Sequence, residues 1–145
     1  MSKLSIPVSE KDHVQGPSQA LVTLLEYGDY ECPHCGRAYP IIKAVQQKLG
    51  SNLRFVFRNF PLAQIHPHAE LAAEAAEAAG AQDKFWEMHD ALYESQKRLN
   101  PEFVLAQSEL LRLDMKRFAE ELKNRTYLPR VKEDFKSGVR SGVNG

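Results

Sequence analysis

The sequence predicts an α/β domain in which a βαβ unit runs directly into a long block of helices. Two short apolar runs rich in β-formers, ALVTLLEY (20–27) and LRFVFRNFPL (53–62), flank a stretch of helical spacing. From residue 66 the pattern is wholly helical. The chain has 145 residues, 43% of them hydrophobic, enough for one domain with a real core.

Taken in order, residues 1–16 are polar and read as a flexible arm. Ala20–Tyr27, preceded by Gly16 and Pro17, reads as a central strand buried on both faces. In AYPIIKAVQQKLG the residues Ile41, Ile42, Val45 and Leu49 recur at helical spacing, and Gly50 is placed to end that helix. LRFVFRNFPL sets Leu53, Phe55 and Phe57 on one face of a second strand, closed by Pro61. Strand, helix, strand predicts a parallel pair.

A helical insertion follows over 66–112. HPHAELAAEAAEAAG puts Pro67 in a first turn and stops at Gly80, and its alanines allow a neighbouring helix close approach. DKFWEMHDALYESQ places Phe85, Met88, His89 and Leu92 on one face, and NPEFVLAQSELLR starts with an Asn100 cap and Pro101. DMKRFAEELK carries Met115, Phe118 and Leu122. The last helix carries Tyr127, Val131, Phe135 and Val139, with Pro129 in its first turn. No linker separates the parts, so residues 1–145 read as a single domain.

Charge narrows the function classes. With 19 basic and 19 acidic residues the net charge is zero, which argues against nucleic acid or an anionic membrane as partner. No apolar run is long enough to span a bilayer. The N-terminus lacks the apolar core of a signal peptide, so the chain reads as cytoplasmic as written, and as periplasmic or secreted if a signal peptide has been removed. Two cysteines are too few for a disulfide scaffold.

Those two cysteines stand three apart in DYECPHCGRAYP. Pro33 opens the helix, which puts Cys32 at its N-terminus, where unpaired amides and the helix dipole favour a thiolate. Cys35 lies one turn on, within disulfide reach and more buried. In a redox pair Cys32 attacks and Cys35 resolves the mixed disulfide. Pro33 fixes the turn, and His34 tunes the couple by donating to the thiolate or by holding positive charge beside it. Two other readings stand beside this one. A CxxC is half of many zinc sites, and His66 and His68 are the candidate further ligands, although residues two apart do not share a helix face. The pair is otherwise an inert set of buried thiols.

CPHC opening a helix after a buried strand resembles the DsbA family of thiol:disulfide oxidoreductases, within the thioredoxin-like superfamily. Glu26, six before Cys32, matches a buried acidic residue of that family, and Pro40, five after Cys35, matches the proline that kinks the active-site helix. FRNFPL, HPHAELAAEAAEAAG and KFWEMHDALYESQ resemble the helical insertion of the smaller bacterial members, so the likeness covers residues 12–145. The resemblance implies a thioredoxin-like fold and exchange with protein dithiols or disulfides, with a redox-recycling partner. It implies no cofactor beyond the Cys32–Cys35 disulfide and no metal. On the same match Glu26 is read as buried, with a raised pKa, and as a relay for the Cys35 proton. Tyr30 reads as a substrate-contacting aromatic or as loop packing. Asp29 and Glu31 read as solvated, His68, His89 and Trp86 as core, and His66 as local to a helix start.

The chain departs from the family at its end. After GVRSGVNG the resembled proteins continue into Thr-Pro-Thr with a cis proline, two antiparallel strands and a final helix. Without them the chain reads as truncated, and the strand at Ala20–Tyr27 loses a neighbour. The expectation is that the N-terminal segment or a second chain pairs with that edge, or that the chain self-associates through it. The alternative function is a binding or scaffold module without turnover, and a further one is a small zinc-binding module.

Overall fold

The computed structural model describes residues 3–145. Three strands form one sheet: β1 (His13–Gln15), β2 (Val22–Gly28) and β3 (Leu53–Asn59), in the order β1-β3-β2. β2 and β3 are parallel, with Leu24 opposite Phe55 and Glu26 opposite Phe57. β1 lies antiparallel on the other side of β3, with Val14 opposite Val56. The parallel pair is as expected, but the central strand is β3, which is buried on both faces. β2 is an edge strand and only half-buried, which corrects the reading of a strand buried on both faces. Apolar composition alone did not separate the two, because a run flanked by one neighbour and a run flanked by two carry the same residues.

The expected flexible arm is also corrected over residues 3–16. His13–Gln15 is a strand, and Asp12 takes both a 2.8 Å and a 3.0 Å hydrogen bond from the buried Arg58 guanidinium. Arg58 also donates to Tyr27 Oη and to the Pro7 carbonyl. His13 stacks on Phe85 at 3.6 Å and is bonded through Nε2 to Glu77 at 2.8 Å. The N-terminal segment thus supplies the third strand, although it pairs with β3 and not with β2.

α1 (Pro33–Leu49) connects the parallel strands, ends at Gly50 with positive φ, and holds Pro40 in its interior. The helical block comprises α2 (Ala69–Gly80), α3 (Phe85–Glu94), α4 (Pro101–Leu110), α5 (Met115–Lys123) and α6 (Leu128–Arg140). α2 is the hub, packed against α3, α4, α5 and α6 with Ala72, Ala75, Ala76 and Ala79 fully buried. Small side chains let four helices approach one, as the alanine run implies. Pro67 lies just before α2 and not in its first turn, because His68 is the N-cap. Asn100 and Asp114 cap α4 and α5 by accepting from Phe103 N and Arg117 N.

Alternation along β2 and β3 decides what each face meets. Leu24, Glu26 and Gly28 share a face with Phe55 and Phe57, against α1 and α3. Tyr27 and Arg58 point to the opposite face, where Tyr27 Oη bonds Ser137 of α6 at 2.8 Å. On α6 the buried side is Val131, Asp134, Ser137 and Gly138, while Val139 is 53% exposed. The expected apolar stripe holds for Tyr127, Val131 and Phe135, which pack on the core and on Phe60, and fails only at Val139. Asp134 and Ser137 are buried because they have partners: Asp134 accepts from Asn59 N and Nδ2 at 3.0 and 2.9 Å.

Candidate active site

Cys32 is the N-cap of α1, in extended backbone with φ −73° and ψ 125°, and Pro33 follows as the first helical residue. A proline at that position surrenders an N–H that has no intrahelical partner anyway. The Cys32 sulfur accepts no cap hydrogen bond, so the helix acts on it through the dipole. Cys35 stands one turn on, and both are free thiols. Their relative exposure is the reverse of the expectation: Cys32 is 9% exposed, while Cys35 is only partly buried.

The two thiols differ in what surrounds them. Burial pushes the Cys35 thiol up to about 12, against a lowering by the Asp29 amide and with the neighbouring Cys32 and Glu26 adding to the rise. Glu26, on the α1-facing side of β2, is itself pushed up to about 7 by burial. A carboxyl that titrates near neutrality beside a thiol held in its protonated form is equipped to exchange a proton with it. Pro33 and His34 are exposed at the rim. His34 Nδ1 accepts a 2.6 Å hydrogen bond from Arg37 Nη2, which leaves Nε2 as the nitrogen without a partner among the described residues.

Tyr30 is corrected as a substrate contact. It is 1% exposed, stacked on Phe57 at 5.1 Å, with its hydroxyl bonded to His89 Nδ1 at 2.9 Å. Of the two readings, loop packing is the one realised. His89 is a core residue as expected, and burial pushes its ring down to about 3, so it is neutral.

Asp29 and Glu31 are not solvated. Asp29 is buried and accepts from Glu31 N, Leu62 N and His66 Nδ1 at 2.8, 2.9 and 2.7 Å. Glu31 accepts from His68 N at 2.7 Å and lies 3.2 Å from His68 Nδ1. The HPH stretch thus clamps the cysteine loop through two carboxylates. Its histidines are spent there and do not converge with the thiols. Among the described residues no group of three or more His, Cys, Asp or Glu is arranged to hold a metal.

Gln96 is a site residue that sequence reasoning missed. Its side-chain amide donates to the carbonyls of Tyr30 and Cys32 at 2.9 and 2.8 Å, tying the helical block to the cysteine loop. A side chain at Gly36 would run into it. No local signal marks Gln96, because its partners are 64 and 66 residues away.

Comparison with known proteins gives a consistent answer. The thioredoxin family profile matches residues 8–145. A Na+/H+ antiporter, NhaA 1, of Salinispora arenicola is 47% identical over 143 residues, which is 98% of this chain and 22% of the antiporter. The chain spans about a fifth of the length of the curated relatives it matches. Among solved structures, BdbD from Bacillus subtilis in its oxidised form superposes with a TM-score of 0.85 at 24% identity, covering 99% of this chain and 83% of that one. A thioredoxin-like oxidoreductase from Silicibacter pomeroyi superposes with a TM-score of 0.82 at 26% identity, covering 94% and 78%. The fold is that of the DsbA-like thiol:disulfide oxidoreductases. No helix among the described residues is long and apolar enough to cross a membrane.

Proposed function

The chain belongs to the thioredoxin family, and from that premise we propose that it exchanges its Cys32–Cys35 dithiol and disulfide with the thiols or disulfides of other proteins. Cys32 is the nucleophile and Cys35 the resolving thiol. Glu26 takes and returns the Cys35 proton, Pro33 holds the turn, and His34 tunes the couple. The cysteines themselves carry the electrons, so no external cofactor enters. The observation that carries this reading is the unlike placement of the two thiols. Cys32 stands at a helix N-cap, whereas Cys35, though the more exposed of the two residues, has its thiol pushed up by desolvation and by the neighbouring Cys32 and Glu26, and burial pushes that Glu26 carboxyl up to about 7.

The exchange runs in two steps. The Cys32 thiolate attacks a substrate disulfide, forming one S–S bond and releasing one substrate thiolate. Cys35 then loses its proton to Glu26 and attacks the Cys32 sulfur. The second substrate sulfur leaves as a thiolate, and the protein is left oxidised. In the opposite direction a substrate thiolate attacks Cys32 of the disulfide, and Cys35 leaves and is reprotonated. Reduced protein treated with limiting iodoacetamide near neutral pH is expected to carry the label on Cys32. Preferential labelling of Cys35, or no exchange with glutathione disulfide, overturns the assignment.

A second reading concerns the setting of the chemistry. Relatives that align with 98% of this chain are antiporters of which it matches 22%. That supports a role as a redox module working with a membrane cation antiporter. A disulfide cross-link to such a transporter in cells, lost in Cys32→Ala and trapped in Cys35→Ala, is the expected result; recovery of soluble thiol proteins alone would count against it.

A further inference from the structure

We propose, resting on the Glu26 relay above, that the Tyr93 hydroxyl is the hydrogen-bond donor serving the Glu26–Cys35 pair, to the carboxylate before proton transfer and to the Cys35 thiolate after it. Tyr93 lies on α3, is 6% exposed, and its hydroxyl has no hydrogen-bond partner among the described residues. A buried hydroxyl left unpaired is costly, and its persistence calls for a reason. The ring itself is held firmly, with Tyr30 at 4.8 Å, His89 at 5.1 Å and Tyr39 at 5.3 Å.

The position of the oxygen is informative. A Cβ on Gly28 would lie 2.7 Å from it, so the phenol oxygen occupies the space that a side chain at residue 28 would fill. Residues 26 and 28 share a face of a strand, so this oxygen lies over the same face of β2 as the Glu26 side chain, although the two make no hydrogen bond in this structure. Cys35 packs into the same core. The other two phenols there are committed: Tyr30 shares its bond with His89, and Tyr39 donates to Asp90 and Glu94 at 2.9 and 3.0 Å. Tyr93 is thus the one tyrosine of that cluster with an O–H to offer.

The charged and titratable groups around it are Glu26 from β2, Cys35 and Tyr39 from α1, and Asp29 and Tyr30 from the loop between them. From its own helix comes His89, which is neutral. Every ionisable member of that set is an acid, so a proton donor has work to do whichever one carries the charge. The O–H, unpaired in this structure, must turn to the carboxylate when Glu26 is ionised. When the proton has moved from Cys35 Sγ to Glu26, the O–H turns to the sulfur, which then attacks Cys32. Tyr93 acts through these two groups and is a positioning residue.

The test compares the parent with Tyr93→Phe and Glu26→Gln. Reduced protein is mixed with glutathione disulfide, and formation of the Cys32–glutathione mixed disulfide is timed separately from its resolution by Cys35. In Tyr93→Phe the first step is expected to keep its rate. The second should slow roughly fivefold to tenfold, the worth of one hydrogen bond, with its pH midpoint moved upward. The Glu26 carboxyl, followed by NMR, should titrate at higher pH in Tyr93→Phe whether or not exchange is observed. Below about pH 4.5, where Glu26 keeps its proton in both states, the variant should melt no lower than the parent, because there it loses an unpaired group and keeps the ring; a purely structural hydroxyl would lower the melting temperature at every pH. Parent-like resolution and an unmoved Glu26 titration in Tyr93→Phe, with Glu26→Gln slow, overturn the role of Tyr93 and leave the relay standing. Parent-like resolution in both variants overturns the relay together with the role built on it.

Discussion

Glu26 turns a functional assignment into a stability measurement. Its carboxyl titrates at about 7 in the folded chain against 4.5 in an unfolded one, because burial penalises the charged form. Between those values the folded state binds more protons than the unfolded state, so stability falls as the pH rises from about 4.5 through about 7. Glu26→Gln removes that loss. Its advantage over the parent should be absent below pH 4.5 and reach roughly 3 kcal/mol above pH 7, read from urea unfolding at both ends. Parallel pH dependences would mean a solvated glutamate. His34 makes a different prediction. Arg37 holds its Nδ1, so the free Nε2 and the guanidinium charge both stand in the first turns of the active-site helix. His34→Ala and Arg37→Ala should each make the couple less oxidising, by about 30 mV or about 1.4 kcal/mol, in equilibrium with glutathione. Unmoved potentials in both variants would remove this pair from the tuning of the thiols.

At the scale of elements, the decisive contact is between the N-terminal segment and β3. Asp12 and Arg58 form a two-pronged pair with both side chains almost wholly buried. Breaking a buried pair from one side strands the other charge. Asp12→Ala should therefore cost about 3–5 kcal/mol in urea unfolding. The double variant Asp12→Ala with Arg58→Leu should recover part of that loss, because the stranded guanidinium is gone. A loss within the experimental error in Asp12→Ala would restore the picture of a loose arm. The strand in HVQ was not legible in the sequence because three residues carry no period. Only the register Val14 opposite Val56, with Asp12 and His13 locked to Arg58 and Glu77, makes them a strand. Local capping was legible, since Asn100 and Cys32 stand where their own neighbours require caps.

For the molecule as a whole, the sheet has β3 at its centre and β2 at its rim. Beside that rim Leu21 is 87% and Val22 49% exposed. An edge strand with exposed apolar residues is a template for pairing with another strand. We expect the mass in sedimentation to rise with concentration for the parent and to stay constant for Leu21→Lys, since an edge lysine opposes such pairing. A parent that remains monomeric at every concentration would show that the edge is adequately protected.

What the sequence by itself determined was whatever depends on residues close along the chain. The helix that begins at Cys32 and Pro33, the parallel β2–α1–β3 unit, and the amphipathic faces of α3 and α5 all follow from spacing and capping. So does the closeness of Cys32 and Cys35, which are one turn apart, whereas only the family resemblance places Glu26 beneath them. Tertiary structure decided which strand is central and which groups are buried beside the thiols. Asp29 and Glu31 read as solvated until His66 and His68 come back across 37 residues to hydrogen-bond them. Tyr30 looked available to a substrate until Phe57 and His89 enclosed it. Gln96 and Tyr93 carried no mark at all. The physical reason is the same in each case: the cost of burying a polar group depends on its partners, and those partners lie tens of residues away, out of reach of any local pattern.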